Sequence, residues 1–262
     1  MSDRAWYLRC IAEDVGTHAI LVGDRSRVAL TAEMLEDAVF LNEDRGLTTA
    51  TGTYRGVRVT VSAFGMGAPI AAIVLHELAD LGVCTFLRLG TALTVGPTAL
   101  GELVVAQAAV RRESTSATYL PVEYPAVGDF TLTAALAAAA AAAPRPSRVG
   151  LYASFDGFYT QMFDVQPGNT DAAGQLASLA RTGVVAADME TSAVFIAAMA
   201  RRVRAGSLCL ASVDGHTRER MGHEERVDAE IDLLQVGLDT LTAPHPEPVA
   251  VNAATAHLGD PR

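Results

Sequence analysis

Apolar runs rich in Val, Ile and Leu punctuate the chain at 18–24 (HAILVGD), 57–65 (VRVTVSAFG), 85–90 (TFLRLG), 101–110, 148–155 and 205–214. Runs of this length, set off by Gly, Asp or Thr, predict buried strands. Between them the apolar positions switch to helical spacing, most clearly over 68–81, 131–143 and 190–202. Strand and helix in alternation predict an α/β domain with a largely parallel sheet. In the segment 186–202 (AADMETSAVFIAAMARR), Ala193, Ile196, Ala197 and Ala200 form one apolar helical face. The alanine-rich run 134–148 (AALAAAAAAAPRPSR) reads as a surface helix stopped by Pro144 and Pro146. From Ala243 onward four prolines and no periodicity predict a disordered tail over 243–262, after a single domain over 1–242.

Composition narrows the classes. Half of the 262 residues are hydrophobic and 19% are charged, which fits a folded core and not a disordered chain. The net charge of −10 argues against nucleic acid and anionic membranes as partners, while leaving room for small anions at local arginines. No apolar run approaches the ~20 residues of a membrane span, and MSDRAWYLRC holds no signal-peptide core. Cys10, Cys84 and Cys209 lie far apart without metal-ligand or disulfide spacing, the usage of a cytoplasmic protein. No residue pattern calls for a metal or an organic cofactor.

Chemistry-bearing residues gather where the predicted strands end. GDRSR (23–27), GMGAP (65–69), RLGT (88–91) and SVDGH (212–216) each follow an apolar run. In parallel sheets ligands bind beyond the carboxyl ends of the strands, and Gly-rich turns opening helices present converging N–H groups to anions. Arg27 and Arg88 would add the forked donors that suit a phosphate. Arg88 is the more informative, since a charge inside an apolar strand requires a partner. At the mouth of the 190–202 helix stand two acids, Asp188 and Glu190. A carboxylate there is also what a helix N-terminus favours, so capping and ligand binding are both open on these residues alone.

Taken in order, VGDRSRV, FGMGAP, TFLRLGT and DMETSAVF resemble the hexameric branch of the nucleoside phosphorylase family, which contains uridine phosphorylase and bacterial purine nucleoside phosphorylase. The resemblance covers roughly residues 7–240, and LPVEYPAVGDF (120–130) looks like uridine phosphorylase in particular. It implies a three-layer α/β domain whose central mixed, largely parallel twisted sheet is flanked by helices. It implies a pentosyltransferase that cleaves the N-glycosidic bond of a ribonucleoside with inorganic phosphate as co-substrate. By position, Gly23, Arg27, Arg88 and Thr91 match phosphate-binding residues, and Arg45 matches an arginine lent to a neighbouring subunit's phosphate. Met189 and Glu190 match the ribose-binding pair, and Tyr7 stands where the family sends a histidine to a neighbour's sugar. Phe158 matches the aromatic that packs on the base, with Gln161 beside it, and Asp214 matches the acid of the purine enzymes. The partners implied are a nucleoside, phosphate and further copies of the chain, in a dimeric unit with shared sites assembled into a hexamer.

The departures bear on the substrate. Val22 replaces a proline, Ala92 and Leu93 stand where a glycine is usual, and Tyr7 in place of histidine admits a sugar altered at its 5′ position. FYTQMFDV (158–165) has no arginine of the uridine type and resembles the purine enzymes. The framework therefore points to a uridine-like nucleoside. A purine nucleoside phosphorylase using Asp214 as acid is the alternative, as are a nucleosidase and an inactive nucleoside-binding protein.

Overall fold

The computed structural model describes residues 4–163 and 171–244. The tail expected over 243–262 lies outside the described residues from position 245, as does the end of the FYTQMFDV stretch from position 164. The long terminal helix closes at Thr242, beside the expected boundary.

Strand β1 (His18–Val22) leads into helix α1 (Arg25–Glu33), whose N-cap Asp24 accepts a 2.9 Å bond from the Ser26 N–H. Strands β2 (Glu36–Asn42), β3 (Thr49–Tyr54) and β4 (Val57–Ala63) form an antiparallel meander. Helix α2 (Ala68–Asp80) starts from Gly67, whose φ of 101° is open to glycine but costly for other residues, with Pro69 in its first turn. Then come β5 (Thr85–Thr94), β6 (Leu103–Arg112), the short α3 (Ser116–Tyr119), β7 (Ala126–Val127), α4 (Phe130–Ala142) and β8 (Ser147–Phe155). The chain ends through α5 (Ala172–Arg181), β9 (Val184–Asp188), α6 (Thr191–Arg201), β10 (Arg204–Val213) and α7 (His223–Thr242).

The strands join one mixed sheet in the order β10-β6-β8-β9-β5-β1-β4-β3-β2. Because β10 also pairs with β5, the strands β5, β10, β6, β8 and β9 close on themselves into a ring. The sheet is mixed and largely parallel, as expected, since the longest pairings, β5–β10 and β6–β8, are parallel. The pairs β1–β4, β1–β5, β5–β10, β6–β8 and β8–β9 are parallel, while β2–β3, β3–β4, β5–β9, β6–β7 and β6–β10 are antiparallel. The physical reason lies in the connections: β3 and β4 are joined by a tight turn and so must run antiparallel, and closing the ring reverses two further pairs.

Side chains alternate between two cores, as strand geometry requires. From β1, Ala19 and Leu21 pack against α2 and α6, while Ile20 and Val22 pack against α1 and α7. Phe86 of β5 joins the first core and Leu87 and Leu89 the second. Each of the Leu, Ile, Val and Phe side chains among these, fully buried, contributes about 1.5–3 kcal/mol. The result is three layers, helices on both faces of the sheet. Strands β4, β1, β5 and β10 lie side by side and parallel, so their carboxyl ends open at one rim.

That rim is held by a close approach. A Cβ added at Gly215, just past β10, would stand 2.3 Å from the Thr94 backbone oxygen of β5. Gly215→Ala should therefore destabilise the protein by about 1–3 kcal/mol, the cost of overpacking. Equal denaturant midpoints for the two proteins would contradict this packing.

Candidate active site

A cavity of about 510 Å³ opens at the shared rim. Gly23 and Asp24 follow β1, Phe64 and Gly65 follow β4, Gly90 and Thr91 belong to β5, and Ser212 and Val213 close β10. Asp188 enters from the end of β9, Met189 and Glu190 from the turn that follows it, and Phe158 and Met162 from the helical turn after β8. Of the residues singled out in the sequence, Gly23, Arg27, Arg88, Thr91, Met189, Glu190 and Phe158 all line it.

Arg88 is the centre of its electrostatics. Its side chain is 3% exposed, and Leu21 and Ser207 stand opposite it in the flanking strands. Nη1 lies 3.2 Å from Asp188 Oδ2 and donates to Cys209 Sγ at 2.6 Å, while Nη2 donates to Glu190 Oε2. Burial works against the guanidinium charge, but Cys209, Asp188 and Glu190 outweigh it and hold the group well above its ordinary pKa. Gly90, two residues on along the same strand face, makes the room. A Cβ there would stand 2.6 Å from Nη1 and 2.8 Å from Cζ. The R-L-G spacing thus lets the guanidinium lie along the strand toward the rim.

Arg27, on α1, lines the same cavity and is 5% exposed. Its Nη1 donates to the Leu89 carbonyl at 3.0 Å, and Nε lies 3.6 Å from the buried Glu230 of α7. Burial lowers its pKa, with Glu230 acting in the opposite direction. Glu230 belongs to none of the strand-end motifs. It occupies the first position of the apolar stripe Glu230, Leu233, Leu234, Gly237, Leu238 and Leu241, a charge on a core-facing helix surface. That misplacement was its signal.

The two acids at the mouth of α6 divide the roles that the sequence left open. Asp188 caps the helix, accepting from the Thr191 N–H at 3.1 Å and from the Thr191 hydroxyl. Glu190, at the N-cap position itself, makes no side-chain cap. Its Oε1 accepts from the Gly67 N–H at 2.7 Å and its Oε2 from Arg88, leaving a buried carboxylate on the cavity wall. With arginines at one end and apolar Leu93, Phe158, Met162 and Val213 at the other, the cavity can hold an anion next to a polar group and a flat apolar ring.

Four expected residues stand elsewhere. Arg45 (φ 57°) turns away from the cavity and lies over the Tyr7 ring, its Cζ 5.6 Å from the centroid. Both residues are exposed and line a small separate depression with Trp6, Arg9 and Asp44. Gln161 is not among the lining residues: its Oε1 accepts from the Gly157 N–H at 2.6 Å. Asp214 lines a neighbouring depression with Thr94, His216 and Arg218. The cause is a bulge: pairing between β10 and β5 shifts register between Ala211 and Val213, which places Val213 opposite Leu93. Asp214 Oδ1 accepts from the Thr217 N–H at 2.6 Å and the His216 N–H at 2.8 Å. The Thr217 N–H bond lowers its pKa; burial opposes this, and the His216 N–H adds to the lowering. Among the described residues no group of three or more His, Cys, Asp or Glu is placed to hold a metal ion, and no helix is long and apolar enough to cross a membrane.

The charge arrangement has a measurable consequence. Arg88→Ala would leave Asp188 and Glu190 buried without their cation and should cost about 3–5 kcal/mol of stability. Glu190→Ala leaves Arg88 its Asp188 partner and should cost less, about 1.5–3 kcal/mol. Denaturant unfolding of the two variants reads the difference, and equal losses would contradict the placement of Asp188.

Residues 17–237 match the Phosphorylase superfamily. Uridine phosphorylase of Treponema pallidum is 34% identical over 226 residues, 86% of this chain and 87% of that protein. Guanosine phosphorylase of Halorubrum lacusprofundi is 32% identical over 93% of this chain and 95% of its own length. A DeoD-type purine nucleoside phosphorylase of Streptococcus uberis is 36% identical over 88% and 95%. The cavity built from the GDRSR, GMGAP, RLGT and DMET turns is therefore that of a family member: the chain belongs to the phosphorylase superfamily.

Proposed function

We propose that the protein is a nucleoside phosphorylase, a pentosyltransferase that converts a uridine-like ribonucleoside and inorganic phosphate into ribose 1-phosphate and the free base. The observation that carries this reading is the placement of Arg27, Arg88 and Thr91 in one cavity with the uncapped, buried Glu190. Phosphate held by the arginines and by the N–H groups around Gly23 meets the sugar at C1′ as the glycosidic bond breaks. The sugar passes through an oxocarbenium-like state, so an adjacent dianion stabilises it as well as attacking it. Glu190 accepts hydrogen bonds from the ribose hydroxyls and fixes the sugar over the phosphate, with Met189 packed beside it. The relatives named as uridine, guanosine and purine nucleoside phosphorylases support the class and divide over the base.

The base end favours a pyrimidine. A purine leaving group is helped by an acid that protonates it. Here Val213 takes the wall position, while Asp214 stands in the next depression with its carboxylate engaged by its own turn and its pKa lowered. Phe158 supplies a ring face for the base. Phosphate is the co-substrate in this reading, with no organic cofactor. The three cysteines are free, as in a reducing compartment, and we place the protein in the cytoplasm.

Assembly follows from the same reading. Arg45 and Tyr7 are exposed together outside their own chain's cavity, which supports a dimeric unit with shared sites, built into a hexamer. Mixing Arg45→Ala with Glu190→Ala protein should restore part of the lost turnover, since a mixed pair contains one intact site. No recovery after exchange of subunits would count against sharing.

The base assignment is tested by kcat/KM for uridine and inosine in saturating phosphate. Uridine should be the better substrate, and Asp214→Asn should change its turnover less than threefold. Inosine turning over many-fold faster, with a loss of about 10²–10⁴ in Asp214→Asn, would return the purine reading.

A further inference from the structure

Asp188 has no part in the proposed reaction, yet it is 3% exposed and borders the same cavity. Its lone pairs are accounted for. Oδ1 accepts from the Ser154 hydroxyl at 2.6 Å and is approached by the Glu190 N–H at 3.4 Å. Oδ2 accepts from the Thr191 N–H and hydroxyl and meets Arg88 Nη1 at 3.2 Å. A carboxylate offers about four acceptor sites, and neighbours within the protein fill them.

Those neighbours are themselves fixed. Ser154 Oγ accepts from the Ser192 N–H at 2.9 Å, and Thr191 Oγ1 lies 3.0 Å from Ser207 Oγ. Ser207 is the β10 residue directly opposite Arg88 in the sheet. The chain of contacts therefore starts at the Arg88 guanidinium and ends on the strand paired with the one that carries it. Arg88 needs such a hold because its Nε is buried without a hydrogen-bond partner. Of the two carboxylates on its terminal nitrogens, Glu190 also has to serve the sugar. Asp188 does not.

We propose that Asp188 is a positioning residue: it fixes the Nη1 edge of Arg88 so that phosphate meets a preset guanidinium, and it makes no contact with the sugar. The inference rests on the phosphate-binding reading of Arg88. It assigns the two acids of the DMET turn to different co-substrates, Glu190 to the nucleoside and Asp188, through Arg88, to the phosphate.

The test compares wild type, Asp188→Asn and Asp188→Glu. Asparagine keeps an oxygen for the Thr191 N–H and so preserves the helix cap, while removing the charge. Calorimetric titration with inorganic phosphate alone is paired with KM values for phosphate and uridine, and with the kcat/KM ratio of uridine to 2′-deoxyuridine. In Asp188→Asn the phosphate Kd and KM should rise at least tenfold, with the ribose-to-deoxyribose ratio within twofold of wild type. Asp188→Glu should recover most of the phosphate affinity. If Asp188→Asn does not fold, Ser154→Ala loosens the same carboxylate and should raise the phosphate Kd about threefold. Unchanged phosphate affinity with a collapsed preference for the ribonucleoside would overturn the proposal, for the acid would then touch the sugar. Wild-type protein that binds no phosphate would instead overturn the phosphorylase reading itself, and this inference with it.

Discussion

A guanidinium buried inside a sheet strand is the constraint around which this site is arranged. Arg88 sits on β5 between two parallel neighbours, where an unpaired charge would cost several kcal/mol. Compensation arrives from the end of β9 and the turn after it, which deliver Asp188 and Glu190 together. For that turn to reach Arg88, β9 must pair antiparallel with the far end of β5, and the ring of strands must close. Fold closure and charge compensation are thus one event. The same geometry puts a carboxylate suited to sugar hydroxyls within contact of a cation suited to phosphate.

Much of this was legible in the sequence, for physical reasons that differ from element to element. The six strands read from apolar runs and the helices at 68–81, 131–143 and 190–202 correspond to elements of the fold, because burial leaves an apolar record at strand or helical spacing. Arg88 stood out as a charge in such a run. Helix α7 was not singled out, because its apolar stripe is interrupted by Glu230 and its outer face is densely charged. The short β9 (VVAAD) and the Thr-rich β3 carry too little apolar contrast to stand out.

The base end was the least legible part of the site. One residue added to β10 by the bulge at Ser212 moves Val213 to the wall and Asp214 out of it. In a strand a one-residue slip exchanges faces, and no local sequence signal marks this slip. Likewise, neither acid of the DMET turn could be assigned from spacing alone. Capping by Asp188 frees Glu190 only because Thr191, Ser154 and Arg88 surround the first acid, and those contacts are tertiary.

The central claim is that one cavity brings phosphate and a nucleoside sugar together for a bond exchange between them. Phosphorus-31 NMR of the protein turning over uridine in phosphate buffer reads this directly. The account predicts a growing sugar 1-phosphate resonance, matched mole for mole by loss of inorganic phosphate and release of uracil. Base release with the inorganic phosphate signal unchanged would show that water, not phosphate, takes the sugar, and would contradict it.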